Sequence, residues 1–129
     1  MDFAENKTRE IMGKAIGRYA KDWKCEESSV QILIQPSGED ELTFAICQDY
    51  QPKEPVTFKQ ILNVKIDLLG YELIATPFIV KALKKMCEEK GLPDGSVSAM
   101  IVKKGEAMKI IAYSLGHTVG FHELSYIFN

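Results

Sequence analysis

The chain has too few cysteines, in the wrong arrangement, to be a disulfide scaffold or a thiolate metal site. Cys25, Cys47 and Cys87 are odd in number, widely spaced and without a C-x-x-C or histidine-spaced partner, so they read as reduced thiols. Long hydrophobic runs are missing too: nothing approaches the ~18 apolar residues of a membrane span. Charges at Asp2, Glu5, Lys7, Arg9, Glu10, Lys14, Arg18 and Lys21 also deny the first 24 residues the apolar core of a signal peptide. The expectation is a cytoplasmic protein with no membrane partner. An excess of one charge sign is equally absent. A net charge of −2 and a pI of about 5.7 supply no global basic field to draw the chain onto nucleic acid or anionic lipid. Nucleophile-elbow, dinucleotide, P-loop and H-E-x-x-H motifs do not occur, and the isolated Gly70 and Gly116 are too few to cradle a phosphate. No cofactor is implied.

What is present is an ordinary globular composition. Apolar residues make up 46% and charged residues 26% of 129, which suits a single compact domain over 1–129 with one sizeable core. From 3 to 23, Phe3, Ile11, Met12, Ala15, Ile16, Tyr19, Ala20 and Trp23 recur at helical spacing, with Arg9, Lys14, Arg18 and Lys21 opposite. Gly13 and Gly17 weaken this amphipathic helix by about 1 kcal/mol each; they are either sites of close backbone approach or tolerated surface glycines. Val30, Ile32 and Ile34 then alternate, as do Leu42, Phe44 and Ile46 after Pro36-Ser37-Gly38-Glu39-Asp40, which predicts a hairpin apolar on one face. Gln31, Gln35, Thr43 and Gln48 are assigned to its other face.

Gln51 to Pro55 has linker composition, and Thr57-Phe58-Lys59-Gln60 has the form of a capping box. The spacing of Phe58, Ile61, Leu62, Ile66 and Leu69 predicts a helix over 57–69, although Val64, Ile66 and Leu68 also alternate as a strand would. Thr76-Pro77 marks another helix start, Phe78, Ile79, Ala82, Leu83, Met86 and Cys87 form its stripe, and Gly91 with Pro93 ends it. Three apolar segments follow: Val97 to Val102, Ala107 to Leu115 and Val119 to Phe128. Gly105 permits a tight turn between the first two, and the third continues the meander. The sum is an α+β fold of order α-β-β-α-α-β-β-β: a largely antiparallel five-stranded sheet with about three helices on one face.

Candidate chemistry is thin. His117, His122 and Glu123 form the one cluster able to move protons or hold a metal, but five residues of extended chain set the two histidines on opposite faces and too far apart to share an ion. Cys47 and Cys87 fall in apolar patterns, and Cys25 follows a helix end, where a thiolate is disfavoured. Base concentrates at Lys81, Lys84, Lys85, Lys103, Lys104 and Lys109, and acid at Glu26, Glu27, Glu39, Asp40, Glu41, Asp49 and Glu54.

The last segment is apolar on both faces, through Phe121, Leu124, Tyr126, Ile127 and Phe128, and such surface in water is unfavourable by about 25 cal/mol per Å². These five are therefore the expected interface of a non-enzymatic interaction module whose protein partner is itself or a larger assembly. Two alternatives belong to other classes. One is a small-molecule-binding protein or minor enzyme with a pocket formed by Tyr113, His117, His122 and Glu123. The other is weak nucleic-acid or acidic-partner binding through the six lysines, which the acidic hairpin opposes.

Overall fold

One stripe of the first helix decides where the core lies. Thr8, Met12, Ile16 and Ala20, four residues apart, are buried along α1 (Asp2–Asp22), and charged side chains occupy its outer side. The computed structural model describes residues 2–50, 64–65 and 72–129. Within them α1 is followed by β1 (Val30–Gly38), β2 (Glu41–Gln48), the two-residue β3 (Val64–Lys65) and α2 (Glu72–Lys90). Then come β4 (Ser98–Lys104), β5 (Ala107–Ser114), β6 (His117–Glu123) and a short 3-10 helix at Leu124–Phe128. Among the described residues no helix is long and apolar enough to cross a membrane.

The strands form one sheet in the order β3-β2-β1-β4-β5-β6, every neighbouring pair antiparallel. Alternation drives one set of branched side chains to the helices: Ile32 lies beside Ile46 and Ile101, and Ile101 beside Ile110. All four are fully buried and share a core with Met12, Ile16, Ile79, Leu83 and Met86. The opposite face carries a smaller buried cluster of Leu33, Cys47, Met100, Val102 and Tyr113. Gln31, Gln35 and Thr43 take the register of that face, whereas Gln48 lies opposite Val30 and shares the helix-covered side.

Helix ends follow local chemistry. At the end of α2 the Leu92 and Gly91 amides donate to the Cys87 and Glu88 carbonyls, at 2.8 and 3.3 Å, and Gly91 takes φ +67°. This is the left-handed exit that glycine adopts without strain. The end of α1 closes in the same way, Cys25 donating to the Ala20 carbonyl and Lys24 to that of Lys21, yet Lys24 occupies the left-handed position (φ 55°).

The α+β class and antiparallel sheet are as expected, with three differences. Two α-helices, not about three, are found among the described residues. The helix expected over 57–69 and the linker from Gln51 to Pro55 lie outside those residues, apart from the strand Val64–Lys65. Thr76-Pro77 does not open α2, which begins at Glu72 and carries Pro77 inside it; a proline this near the helix start breaks only an early backbone bond. Finally, Val119 to Phe128 is not one strand. β6 begins at His117, after Leu115 and Gly116 turn with φ 51° and 79°, and ends at Glu123. Two successive positive φ values are the geometry of a tight hairpin link.

Candidate functional site

The 3-10 helix Leu124–Phe128 folds back over the sheet and inserts between the long helices. Leu124 is fully buried, Ile127 and Phe128 nearly so, and the Phe128 ring meets Phe78 of α2 with centroids 5.1 Å apart. Tyr126 is half-buried, its ring stacked on the His122 imidazole at 3.8 Å with Lys85 Nζ 5.6 Å from its centroid. The expected interface is corrected accordingly: Leu124, Ile127 and Phe128 spend their apolar surface on the chain's own core and present none to a partner. Of the five, Phe121 alone is a largely exposed hydrophobe, at 53%.

The polar quartet is dispersed. Tyr113 is buried on the sheet face away from the helices, its ring 5.8 Å from Tyr50. Among the described residues its hydroxyl finds no hydrogen-bond partner, and burial, with Tyr50 beside it, pushes its pKa well above the ordinary phenol range. His117 is exposed at the start of β6, His122 is held by Tyr126, and Glu123 is ion-paired with Lys109. One geometric detail departs from expectation. The register slips where Ala112 faces Gly120 but Tyr113 faces Thr118, leaving Val119 as an extra residue in β6. That bulge brings His117 and His122 to the same side of the strand, opposite Ser114 and Ile110. Four residues of β5 still separate those partners, roughly 13 Å, so the histidines cannot grip one ion. Among the described residues no group of three metal-ligating side chains occurs.

Three of the six lysines are ion-paired within the chain. Lys84 Nζ lies 2.7 Å from Asp40 Oδ1, Lys103 Nζ lies 2.7 Å from Glu27 Oε2, and Lys109 pairs with Glu123. Half the expected anion-binding set is thus matched to carboxylates of the same chain, while Lys81 and Lys104 are exposed and Lys85 lies near Tyr126. The thiols are equally quiet. Cys47 donates weakly to Gln31 Oε1, which also accepts the Tyr50 amide at 2.8 Å; burial first, and then Asp49, push the Cys47 pKa up to about 12. Burial and Asp49 also raise that of Cys25. Neither thiol is an activated nucleophile.

What remains available is an edge. β6 ends the sheet, and among the described residues no strand lies beyond it. The Phe121 ring stands beside Ile111 with the Lys109 ammonium 5.9 Å from its centroid, an apolar centre with a charged Lys109–Glu123 rim. The sequence carried a signal for this in the lack of lysine and proline between His117 and Glu123, the residues that usually guard an edge. The chain matches no protein-family model, no curated protein and no solved structure.

Proposed function

We propose that this protein is a non-enzymatic, cytoplasmic interaction module that self-associates through the β6 edge. The observation that carries the reading is Phe121, 53% exposed in the middle of a strand that has no neighbouring strand on its outer side among the described residues. Unpaired strand N–H and C=O groups are a template for another strand. A second copy fits because antiparallel pairing under a two-fold axis is self-complementary: a register centred on Phe121 sets the two rings against each other. The bulge at Val119 confines flat pairing to Gly120–Glu123, so the contact is small and reversible. Dispersal of Tyr113, His117, His122 and Glu123 supports a non-enzymatic role over the pocket alternative, and pairing of the lysines with Asp40, Glu27 and Glu123 weighs against nucleic acid. Free thiols at Cys25, Cys47 and Cys87 suit a reducing compartment.

Sedimentation velocity over a concentration series tests it. The native chain is expected to shift from monomer to dimer as concentration rises, and Phe121→Asp to stay monomeric and folded, with a melting temperature lowered by loss of the ring surface packed beside Ile111. A native chain that stays monomeric throughout, or a Phe121→Asp variant that dimerises equally well, refutes the reading.

A further inference from the structure

A second feature, independent of the β6 edge, lies across the sheet from it. The β1–β2 turn, the middle of α2 and the loop before β4 border a half-open cavity of about 450 Å³. Its floor is apolar: Leu42 and Val80 present partly exposed side chains to it, over the buried Leu83, Cys87 and Val97. Its lip is acidic. Among the described residues Glu39, Asp40, Glu41 and Asp94 supply four carboxylates against the one ammonium of Lys84. Volume in this range holds a small molecule whose body is desolvated by the floor while a few polar groups fix its end.

We infer that this cavity binds a small organic cation carried on an aliphatic stem, its charge at the Asp40–Asp94 lip and its stem on the Leu42–Val97 floor. The chain already displays the chemistry in intramolecular form. Lys84 is itself an ammonium on a four-carbon stem, and its nitrogen sits 2.7 Å from Asp40 at the cavity wall. Asp40, and behind it Asp94 and Glu39, hold the Lys84 proton more firmly than usual, so the field at that point favours a cation. An anion would face that field, and a neutral chain would leave the lip unanswered. The incoming ammonium takes Asp40 from Lys84, whose exposed side chain swings into solvent. A second cavity on the far side of this bridge, lined by Pro77, Val80, Lys81 and Lys85, gives it room to do so. A half-open cavity of this volume, bordered by three elements, matches a small molecule in size.

Titration of the whole, isotopically labelled chain with hexylammonium, followed by amide NMR, tests the assignment, with hexanoate, hexanol and a lysine-containing peptide as comparison ligands. Hexylammonium is expected to move the amides of Glu39–Leu42, Lys84 and Asp94–Val97 in a saturable way, and hexanoate and hexanol to move them much less. Asp94→Asn should weaken binding several-fold. Lys84→Met should strengthen it several-fold by removing the internal competitor, whereas Lys104→Met, with the same change of net charge at a distance, should not. The amide spectra themselves report whether each variant is folded. Equal shifts with hexanoate, no localised shifts, tighter binding of the peptide than of the amine, or the same response in Lys84→Met and Lys104→Met overturns the proposal.

Discussion

Replacing Leu124 by alanine separates a core residue from a contact residue. Leu124 is fully buried in a one-turn segment that touches α1, α2 and β5, so it is held from three directions. Truncation removes a buried isobutyl group, and these long elements cannot close around the space without moving one another. For such sites the loss is about 3–4 kcal/mol, transfer and cavity contributions together. Against a total stability of about 5–15 kcal/mol for a domain of this size, that is a large fraction. Phe128→Ala should cost a similar ~3–5 kcal/mol, because its ring is 4% exposed and packed on Phe78. Urea denaturation followed by tryptophan fluorescence is the assay: Trp23, the single tryptophan, packs against the core just beyond α1 and tilts over Tyr19. The midpoint is expected to fall at every protein concentration by the same amount, with the denaturant slope unchanged. Were Leu124 an interface residue, the variant would change assembly mass and leave the monomer midpoint alone. That result would refute the placement of Leu124–Phe128 in the core.

Gly13→Ala and Gly17→Ala should each stabilise the chain by about 0.5–1 kcal/mol, read as a higher melting temperature by circular dichroism. A Cβ built at either position meets nothing within 4 Å, so the helix gains propensity without a clash. A drop in stability at either position would show that another surface approaches α1 closely. Cys47 should make the fold alkali-sensitive. Its thiol rises from the ordinary 9.0 to about 12 on folding, so the unfolded chain releases that proton first as pH climbs. Its contribution is fully present below pH ~9 and is lost toward pH ~12, by up to ~1.4 kcal/mol per unit. Urea midpoints at successive pH values should fall less steeply above pH ~9 in Cys47→Ala than in the native chain, and parallel slopes would contradict the assignment.

Strongly periodic elements were legible. The stripe ending in Met12, Ile16 and Ala20, the alternation through Ile32, Ile34, Phe44 and Ile46, and the Gly91 stop each carry enough repeats, or a specific enough residue, to admit one geometry. Short apolar runs did not. Leu124 to Phe128 looks like the end of a strand apolar on both faces, but five residues cannot distinguish a strand from a turn of 3-10 helix laid over the core. The side on which His117 lies was likewise out of reach, because one bulged residue at Val119 reverses the parity of everything before it. Charge is legible in the sequence only as composition. Acid around the first hairpin and base on α2 and β4 read there as separate surfaces, whereas Lys84 meets Asp40 and Lys103 meets Glu27 in the fold. Opposite blocks that are distant in sequence are as readily partners as patches, and only topology decides.

Moving the contact surface from the Leu124–Phe128 segment to the β6 edge changes the kind of association expected. A chain whose last apolar segment needed a partner would be stable only as a dimer, and its unfolding would depend on concentration. With that segment serving the core, the fold does not need a partner to cover it, and the proposed dimer would rest on the Phe121 rings and a few strand hydrogen bonds. Each ring leaves 53% of its surface exposed, about 100 Å² of the ~200 Å² an aromatic side chain can bury. Covering both is worth ~5 kcal/mol. Backbone bonds across Gly120–Glu123 add about 1 kcal/mol each, against an association penalty of at least ~4 kcal/mol. The balance is about 5 kcal/mol or less, a dissociation constant on the order of 0.1–1 mM. Such a dimer forms and dissolves with concentration while each copy stays folded, so on dilution the melting temperature should fall only slightly and level off at the value of the folded monomer, whereas a chain stable only as a dimer would keep losing stability.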